Sequence, residues 1–438
     1  MRRLEDGRGR LRGGVALVVA LVCASACGSG PAVPAGVSRQ EVPVNASPER
    51  LDVYAHDRPG MLSPAVAGFP SRVYVPNSES DTVSVIDPRT YRVIRQFPVH
   101  GRPQHVVPSW DLKTLWVNNN DGNTLTPIDP RTGRPGRPVP VDDPYNLYFT
   151  PDGRTALVMA ERNNRLDFRD PHTMRLRRSL SMPCRGINHG DFTADETVFL
   201  ASCEFSGQLV AVDTAARKIR AVVDLAHLRT PRTEKARHAV PHEHAQTGDA
   251  QTGEHTRTGE GAAARGRVAA EGHGMADAHG MAGGRASMPQ DVKLSPDGTT
   301  FYVADMARNG VWLVGAKDFR VKRFVRTGAG AHGLYVSRDS RLLYVSNRGE
   351  GSVSVVSFAR RRPIATWRIP GGGSPDMGGL SADGRRLWLS GRYDGVVYVF
   401  DTRSGRLIRK IPVGAGPHGL AVYPQPGRYS LGHTGIFR

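Results

Sequence analysis

Four stretches of the sequence are variants of one phrase: Arg72-Val73-Tyr74-Val75-Pro76-Asn77, Leu115-Trp116-Val117-Asn118-Asn119, Phe301-Tyr302-Val303-Ala304-Asp305 and Leu343-Tyr344-Val345-Ser346-Asn347. Weaker copies begin at Leu157, Phe199 and Trp388. Successive copies lie about 42 residues apart, but about 61 additional residues separate the copy at Phe199 from the copy at Phe301. A fixed spacing of this size indicates a repeat architecture, in which each unit packs mainly on its neighbours.

Each interval carries the signals of four short strands. The first strand ends in an Asp-Gly turn, as in Ser295-Pro296-Asp297-Gly298, and the repeated phrase is the second strand. A polar turn then leads to a third strand such as Val353-Ser354-Val355-Val356, and a turn such as Asp87-Pro88-Arg89-Thr90 precedes the fourth. Four strands in about 42 residues match one blade of a β-propeller, an architecture that leaves only short sheet edges exposed. The sequence therefore predicts an all-β propeller of four-stranded blades.

The number of first strands predicts seven blades. These strands begin near Pro103, Pro144, Gly186, Pro289, Ala331, Pro375 and Pro417. The copy at Tyr74 has no clear first strand before it, and the strand that begins at Pro417 has no third and fourth strands after it. We therefore expect the C-terminal strand to pair with the N-terminal unit and close the ring. Residues Tyr429 to Arg438 are left over, which leaves an eighth unit open as the alternative.

Over roughly residues 72–424, apart from the insertion, this pattern resembles the YVTN-repeat seven-bladed β-propeller family of exported bacterial proteins. The resemblance implies the fold but no particular chemistry, because propellers serve as binding platforms, lactonases, lyases and redox enzymes alike. Some related propellers hold a metal or a haem with histidines at the channel mouth. No Cys-x-x-Cys-His haem attachment motif occurs in this chain.

The N-terminus predicts export. A basic start is followed by the apolar run Val15 to Val22, which is too short to span a membrane, so residues 1–26 are predicted to be a signal peptide. The segment Ala24-Ser25-Ala26-Cys27-Gly28 resembles a lipobox without its usual Leu, which favours lipidation of Cys27. Residues 27–60 are then a tether to the cell membrane, and residues 61–225 and 287–438 form the propeller. Secretion after simple cleavage is the alternative.

The charge and the remaining cysteines fit an exported protein. The formal net charge is +18, which suits an anionic lipid or polymer surface. No nucleic-acid motif appears, so we expect no nucleic-acid partner, and we expect a monomer.

Cys184 and Cys203 would approach each other if the chain turns back near Ala194, and we expect a disulfide between them because export allows one.

The first strand of each blade lines the channel of a propeller, so the residues after each strand start are candidates for a site. When the seven strand starts are aligned, two adjacent positions of each first strand are expected at the channel mouth. In every blade, at least one of these two positions holds His, Asp or Asn, and one such residue per blade is taken as the candidate. These are His105, Asn146, His189, Asp291, His332, Asp376 and His418. Imidazole and carboxylate groups that converge on one axis can bind a metal or act as acids and bases. The plain alternative is that they solvate a water-filled channel.

Residues 226–286 interrupt the repeat with a low-complexity stretch that lacks the apolar content to fold, so it is predicted to be disordered. Seven of the 15 histidines lie here. His273, Met275, His279 and Met281 repeat a His-Gly-Met phrase, and imidazole with thioether suits copper, especially Cu(I). The alternative is a linker in which these residues have no role.

These observations favour an extracytoplasmic lipoprotein that binds an unknown small ligand or protein through the mouth of its channel. The alternative is an enzyme that uses the His/Asp ring, either as a hydrolase or lyase with a His base, or as a metal-dependent oxidoreductase. No cofactor is required by any motif, and copper or another divalent metal is the candidate. No nucleophile elbow, Walker A loop or His-Glu-x-x-His pattern names an enzyme class.

Overall fold

The computed structural model describes residues 51–230, 286–433 and 435–438. Strands dominate these residues, and the one helix among them is the 3₁₀ helix η1 (Pro64–Val66). None of the described helices is long and apolar enough to span a membrane. Cys27 and the four candidate copper ligands of the insertion, His273, Met275, His279 and Met281, lie outside the described residues.

Seven antiparallel sheets form the seven predicted blades. In chain order, blade 1 holds β1 (Arg72–Asn77), β2 (Thr82–Asp87) and β3 (Arg92–Pro98); blade 2 holds β4 (Pro103–Pro108), β5 (Leu115–Asn119), β6 (Thr124–Asp129), β7 (Arg134–Pro135) and β8 (Val139–Pro140); blade 3 holds β9 (Pro144–Phe149), β10 (Ala156–Ala160), β11 (Arg165–Arg169) and β12 (Leu176–Ser181); and blade 4 holds β13 (Ile187–Phe192), β14 (Val198–Cys203), β15 (Gln208–Asp213) and β16 (Lys218–Asp224).

The second part of the chain supplies three more blades and three short strands. Blade 5 holds β17 (Pro289–Leu294), β18 (Thr300–Asp305), β19 (Gly310–Gly315) and β20 (Val321–Arg326); blade 6 holds β21 (Ala331–Val336), β22 (Leu342–Asn347), β23 (Ser352–Ser357) and β24 (Arg362–Arg368); blade 7 holds β25 (Pro375–Leu380), β26 (Arg386–Gly391), β27 (Val396–Asp401) and β28 (Leu407–Pro412); and the chain ends with β29 (Ala421–Tyr423), β30 (Ser430–Gly432) and β31 (Ile436–Phe437).

The ring closes as the sequence predicts. Strand β29 is the innermost strand of blade 1 and pairs with β1, with Val422 opposite Val73. The N-terminal and C-terminal parts of the chain therefore share one sheet, and no blade is left without its inner strand.

The leftover residues Tyr429 to Arg438 do not begin an eighth blade. Strands β30 and β31 form a hairpin that pairs with β9, the inner strand of blade 3, where Gly432 lies opposite Tyr148. Because β9 already faces the axis, the hairpin extends blade 3 into the channel. A two-stranded hairpin is marginal in water, and here the inner wall of the ring supports it.

Burial follows the position of each strand in its blade. The inner strands β4, β9, β13, β17 and β21 are buried along their whole length, whereas the outer strands β12 and β16 are mostly exposed. Apolar side chains of adjacent blades pack together between the sheets; Tyr148 of blade 3 and Phe199 of blade 4 belong to one such cluster. Polar side chains at the starts of the inner strands face the channel instead.

A disulfide joins Cys184 to Cys203, whose Cα atoms are 6.1 Å apart.

Candidate functional site

The inner strands begin with a local irregularity that points two consecutive side chains at the channel. In β13, Ile187 pairs with Cys203 and Gly190 with Ala201, so Asn188 and His189 fall outside the regular register. The same shift occurs at the start of β4, β17, β21 and β25. A regular strand would send alternate residues to opposite faces, and a bulge re-aims them. Two adjacent side chains at the start of an inner strand can therefore both reach the channel axis.

The side chains of two candidate residues form hydrogen bonds between adjacent blades. The Asn146 side chain donates to the carbonyl of Asn188 over 3.0 Å, and the Asp291 carboxylate accepts from the amide of Leu334 over 2.9 Å. Each bond links the inner strand of one blade to that of the next. Asn146 and Asp291 therefore hold the ring together at the level of the histidines.

Three imidazoles meet at the axis and are named here the imidazole cluster: His105 of β4, His189 of β13 and His433 of the hairpin. The ring centroids are 3.9 Å apart for His105 and His433, 5.4 Å for His105 and His189, and 5.5 Å for His189 and His433. Each residue offers one ring nitrogen, and these nitrogens lie within 4.8 Å of one another. These three residues are therefore a candidate set of metal ligands, since imidazole nitrogen is a common ligand of zinc and copper.

His105 and His189 are buried without hydrogen-bond partners. Both side chains are inaccessible to solvent, and neither ring nitrogen of either residue has a partner in the protein. Leaving a buried polar group unsatisfied costs about 1–3 kcal/mol. Burial also lowers the pKa of both imidazoles well below its ordinary value, and the neighbouring His189 adds to this effect on His105. The cluster therefore offers neutral imidazoles, the form that binds metals.

A second group, named here the carboxylate cluster, consists of His332 of β21, Asp376 of β25 and His418, which precedes β29. Nδ1 of His332 lies 2.9 Å from Oδ1 of Asp376, and Nε2 of His418 lies 3.5 Å from Oδ2. The guanidinium of Arg348 is 3.4 Å from Oδ1. Burial alone would raise the pKa of Asp376, but His332, Arg348 and His418 together hold it well below its usual value. Asp376 is therefore an ionised carboxylate.

The two clusters are neighbours. The ring centroids of His105 and His418 are 4.7 Å apart, and those of His189 and His332 are 6.4 Å apart. Tyr145 covers this assembly; its ring lies 5.2 Å from that of His105 and 5.9 Å from that of His189. Five histidines and one carboxylate thus converge, although the histidines come from blades that are not all adjacent.

Of the seven residues that the sequence predicts at the channel, five lie in the two clusters and two, Asn146 and Asp291, join blades. His433 is the residue that sequence reasoning missed. Its only signal is that it lies in the stretch Tyr429 to Arg438, which no blade uses; the repeat pattern gives no register for that stretch. Because the hairpin adds to β9, His433 reaches the gap between His105 and His189.

The channel mouth carries charges of both signs. Arg348 lies over the ring of Tyr393 at 5.6 Å, on the side of the carboxylate cluster. On the other side, Asn188 donates to Glu204 over 3.0 Å, and the pKa of Glu161 is raised well above its ordinary value by burial and then by Glu204. The mouth therefore carries acidic as well as basic side chains.

The other end of the channel is closed by the chain termini of the propeller. The hydroxyl of Tyr54 donates to the carbonyl of Leu294 over 2.8 Å, and Arg438 binds Asp191 over 3.1 Å. Tyr54 and Phe437 line a cavity of about 40 Å³ at this end, which has room for a few water molecules.

The fold and this polar axis define a seven-bladed β-propeller with a buried histidine-rich centre. The chain belongs to the YNCE-like beta-propeller family, whose sequence profile matches residues 60–229 and 277–427. This agrees with the resemblance that the repeats indicate. No curated protein sequence matches the chain.

Solved structures share the fold at low sequence identity. Hydrazine synthase of Kuenenia stuttgartiensis superposes with a TM-score of 0.55 at 16% identity, over 83% of this chain and 99% of that chain. A functionally unknown protein from Desulfotomaculum acetoxidans superposes with a TM-score of 0.54 at 14% identity, over 80% and 98%. The dihydro-heme d1 dehydrogenase NirN in complex with DHE gives 0.51 at 13% identity, over 83% and 77%. These similarities show the fold alone.

Proposed function

We propose that this protein is an exported, membrane-anchored binding propeller that holds one copper ion, as Cu(I), in the imidazole cluster. The observation that carries the proposal is the complete burial of His105 and His189 with all four ring nitrogens unbonded. Two such residues side by side are costly, and a metal that accepts their lone pairs offsets that cost. His433 supplies the third nitrogen.

Charge favours Cu(I) over a divalent ion in this cluster. The three ligands are neutral, and the cost of transferring an ion into a medium of low dielectric constant grows with the square of its charge. Imidazole suits both copper and zinc, so ligand type alone does not select between them. A monovalent ion needs less compensation, and copper is the imidazole-binding metal with a stable monovalent state.

The second candidate function is a copper-dependent oxidoreductase. The contact of Tyr145 with His105 and His189 favours it, because a phenol next to a redox-active metal can exchange protons or electrons with it. Turnover requires a substrate to reach the metal past this ring. Reversible oxidation of bound Cu(I) by a small oxidant would support this candidate over a pure binding role.

The decisive experiment is elemental analysis by mass spectrometry of the full chain beside a version that lacks residues 231–285. We expect one copper per chain in both versions, and we expect His189→Gln to lose it. The matched control is His100→Gln, because His100 is an exposed histidine of the same propeller. Copper that disappears with the insertion would assign it to the insertion instead, where His273, Met275, His279 and Met281 are the candidate ligands. Absence of metal from both versions would leave a binding propeller with a wet channel.

The membrane anchor is a separate part of the proposal. It is supported by the short apolar run Val15 to Val22 and the small residues before Cys27. We expect the chain in the membrane fraction with a lipid-modified Cys27, and Cys27→Ser should release it into the soluble exported fraction. Unchanged membrane association of Cys27→Ser would contradict lipidation at this residue.

A further inference from the structure

The carboxylate cluster has the composition of a second metal site. His332, Asp376 and His418 come from three successive blades around the ring, and their side chains are at most 4% exposed. Each offers one donor atom, and these atoms lie within 4.8 Å of one another. Two imidazoles with one carboxylate form a donor set common to zinc and to other divalent transition metals.

Two polar atoms of this cluster lack a hydrogen-bond partner. Nδ1 of His418 and Oδ2 of Asp376 are buried and have no hydrogen-bond partner. Arg348 approaches only Oδ1 of Asp376, at 3.4 Å. The guanidinium therefore orients the carboxylate from one side, as partners outside a ligand shell commonly do, and Oδ2, which lies 3.5 Å from Nε2 of His418, is the oxygen proposed to bind a metal.

The two clusters differ in the charge of their ligands, and this difference separates the ions that they prefer. The ligands of the imidazole cluster are all neutral, whereas the carboxylate cluster offers one anionic ligand, Asp376, which has the guanidinium of Arg348 3.4 Å away. We propose that the carboxylate cluster binds a second, divalent transition-metal ion next to the Cu(I) ion of the imidazole cluster. This inference extends the proposed function to a two-metal centre, but the ligands of the second ion are different residues from those of the copper ion.

The closeness of the clusters has a measurable consequence. His105 and His418 belong to different clusters, and their rings are 4.7 Å apart. Two cations held by clusters this close to each other would repel in a poorly solvated channel. The divalent ion should therefore bind more tightly to a chain whose imidazole cluster is empty than to one that is loaded with Cu(I).

Cobalt(II) is a suitable probe because its visible spectrum reports coordination number. The full chain is loaded with Cu(I) without oxygen, Co(II) is added, and both metals are counted after gel filtration. We expect one of each in the wild type. Asp376→Asn keeps the shape of the side chain and should lose cobalt while it retains copper. His433→Gln should lose copper and retain cobalt with a higher affinity.

The outcomes separate this inference from the proposed function. Cobalt bound equally by the wild type and Asp376→Asn would overturn the second site, and so would stoichiometric displacement of cobalt by Cu(I). Cobalt that depends on Asp376 in a chain that takes no copper would support the second site and contradict the proposed function. If Asp376→Asn fails to fold, as judged by near-ultraviolet circular dichroism, His418→Gln serves as the second variant under the same criteria.

Discussion

Gly419 makes room for His105: a Cβ atom on residue 419 would lie 1.8 Å from Nδ1 of the imidazole. The two residues also form a parallel backbone bridge. In that bridge the amide of Val106 donates to the carbonyl of Gly419 over 2.9 Å, and the amide of Gly419 donates to the carbonyl of Gln104 over 2.8 Å. The segment that closes the ring therefore sets the position of a proposed metal ligand.

Replacement of this glycine tests that coupling. We expect Gly419→Ala to push the His105 ring aside, to weaken copper binding about 10–100-fold and to destabilise the fold by about 1–3 kcal/mol. The measurements are copper competition with a Cu(I) chelator and unfolding in urea. Gly379→Ala is the matched control, since its added Cβ would meet only Val422 at 3.6 Å. Copper affinity that is unchanged in Gly419→Ala would contradict His105 as a ligand.

The repeat carries most of the information about the fold, because every blade repeats the same turn and strand signals. The spacing of the copies predicts four-stranded blades, the count of first strands predicts seven of them, and the missing first strand before Tyr74 predicts how the ring closes. The YNCE-like family profile and the sheet order confirm the seven-bladed propeller. Repeat patterns succeed here because the packing of one blade is independent of distant ones.

The sequence predicts the site less completely than it predicts the fold. The repeat alignment identifies which positions line the channel, but the bulges that bring two adjacent side chains to the axis are backbone features without a residue code. The alignment does not show that Asp376 belongs to the carboxylate cluster whereas Asp291 accepts a hydrogen bond from the amide of Leu334. His433 lies outside the repeat altogether, so only the tertiary placement of the hairpin reveals it.

The buried histidines predict that the metal-free protein loses stability in mild acid. Burial lowers the pKa of His105, His189, His418 and His433, while their ordinary value is about 6.5. Below that value the unfolded chain binds protons that the folded chain does not, so the free energy of unfolding falls as the pH decreases. Each such group contributes about 1.4 kcal/mol per pH unit. Asp376 opposes the shift at His418 in part, and Arg392 reinforces it.

Urea unfolding at about pH 7 and about pH 5.5 measures this effect. His189→Gln should show a smaller loss of stability between the two pH values than the wild type. His172→Gln is the control because His172 is exposed, and it should retain the wild-type pH dependence. Equal pH dependence in His189→Gln and the wild type would mean that His189 is protonated in the folded protein.

The hairpin that carries His433 is anchored by a buried ion pair. Arg438 and Asp191 are 3.1 Å apart, and their side chains are 6% and 0% exposed. We expect Arg438→Ala to destabilise the protein by about 3–5 kcal/mol, because it leaves Asp191 as a buried charge without this cation. Copper affinity should fall in parallel, because the loosened hairpin no longer holds His433 in place. Arg428→Ala removes an exposed arginine of the same segment and should change neither property.

We expect Tyr145 to control how quickly copper leaves the channel. The ring contacts His105, His189 and His418, with the last centroid 6.4 Å away, and at 8% exposure it lies nearer to solvent than these imidazoles. We expect Tyr145→Ala to speed the transfer of Cu(I) to a small chelator, measured by stopped-flow absorbance, without a matching change in copper stoichiometry. Tyr145→Phe keeps the ring and should retain the wild-type rate. A rate that rises equally in both variants would assign the effect to the hydroxyl rather than to steric cover, and an unchanged rate in Tyr145→Ala would mean that copper leaves by another route.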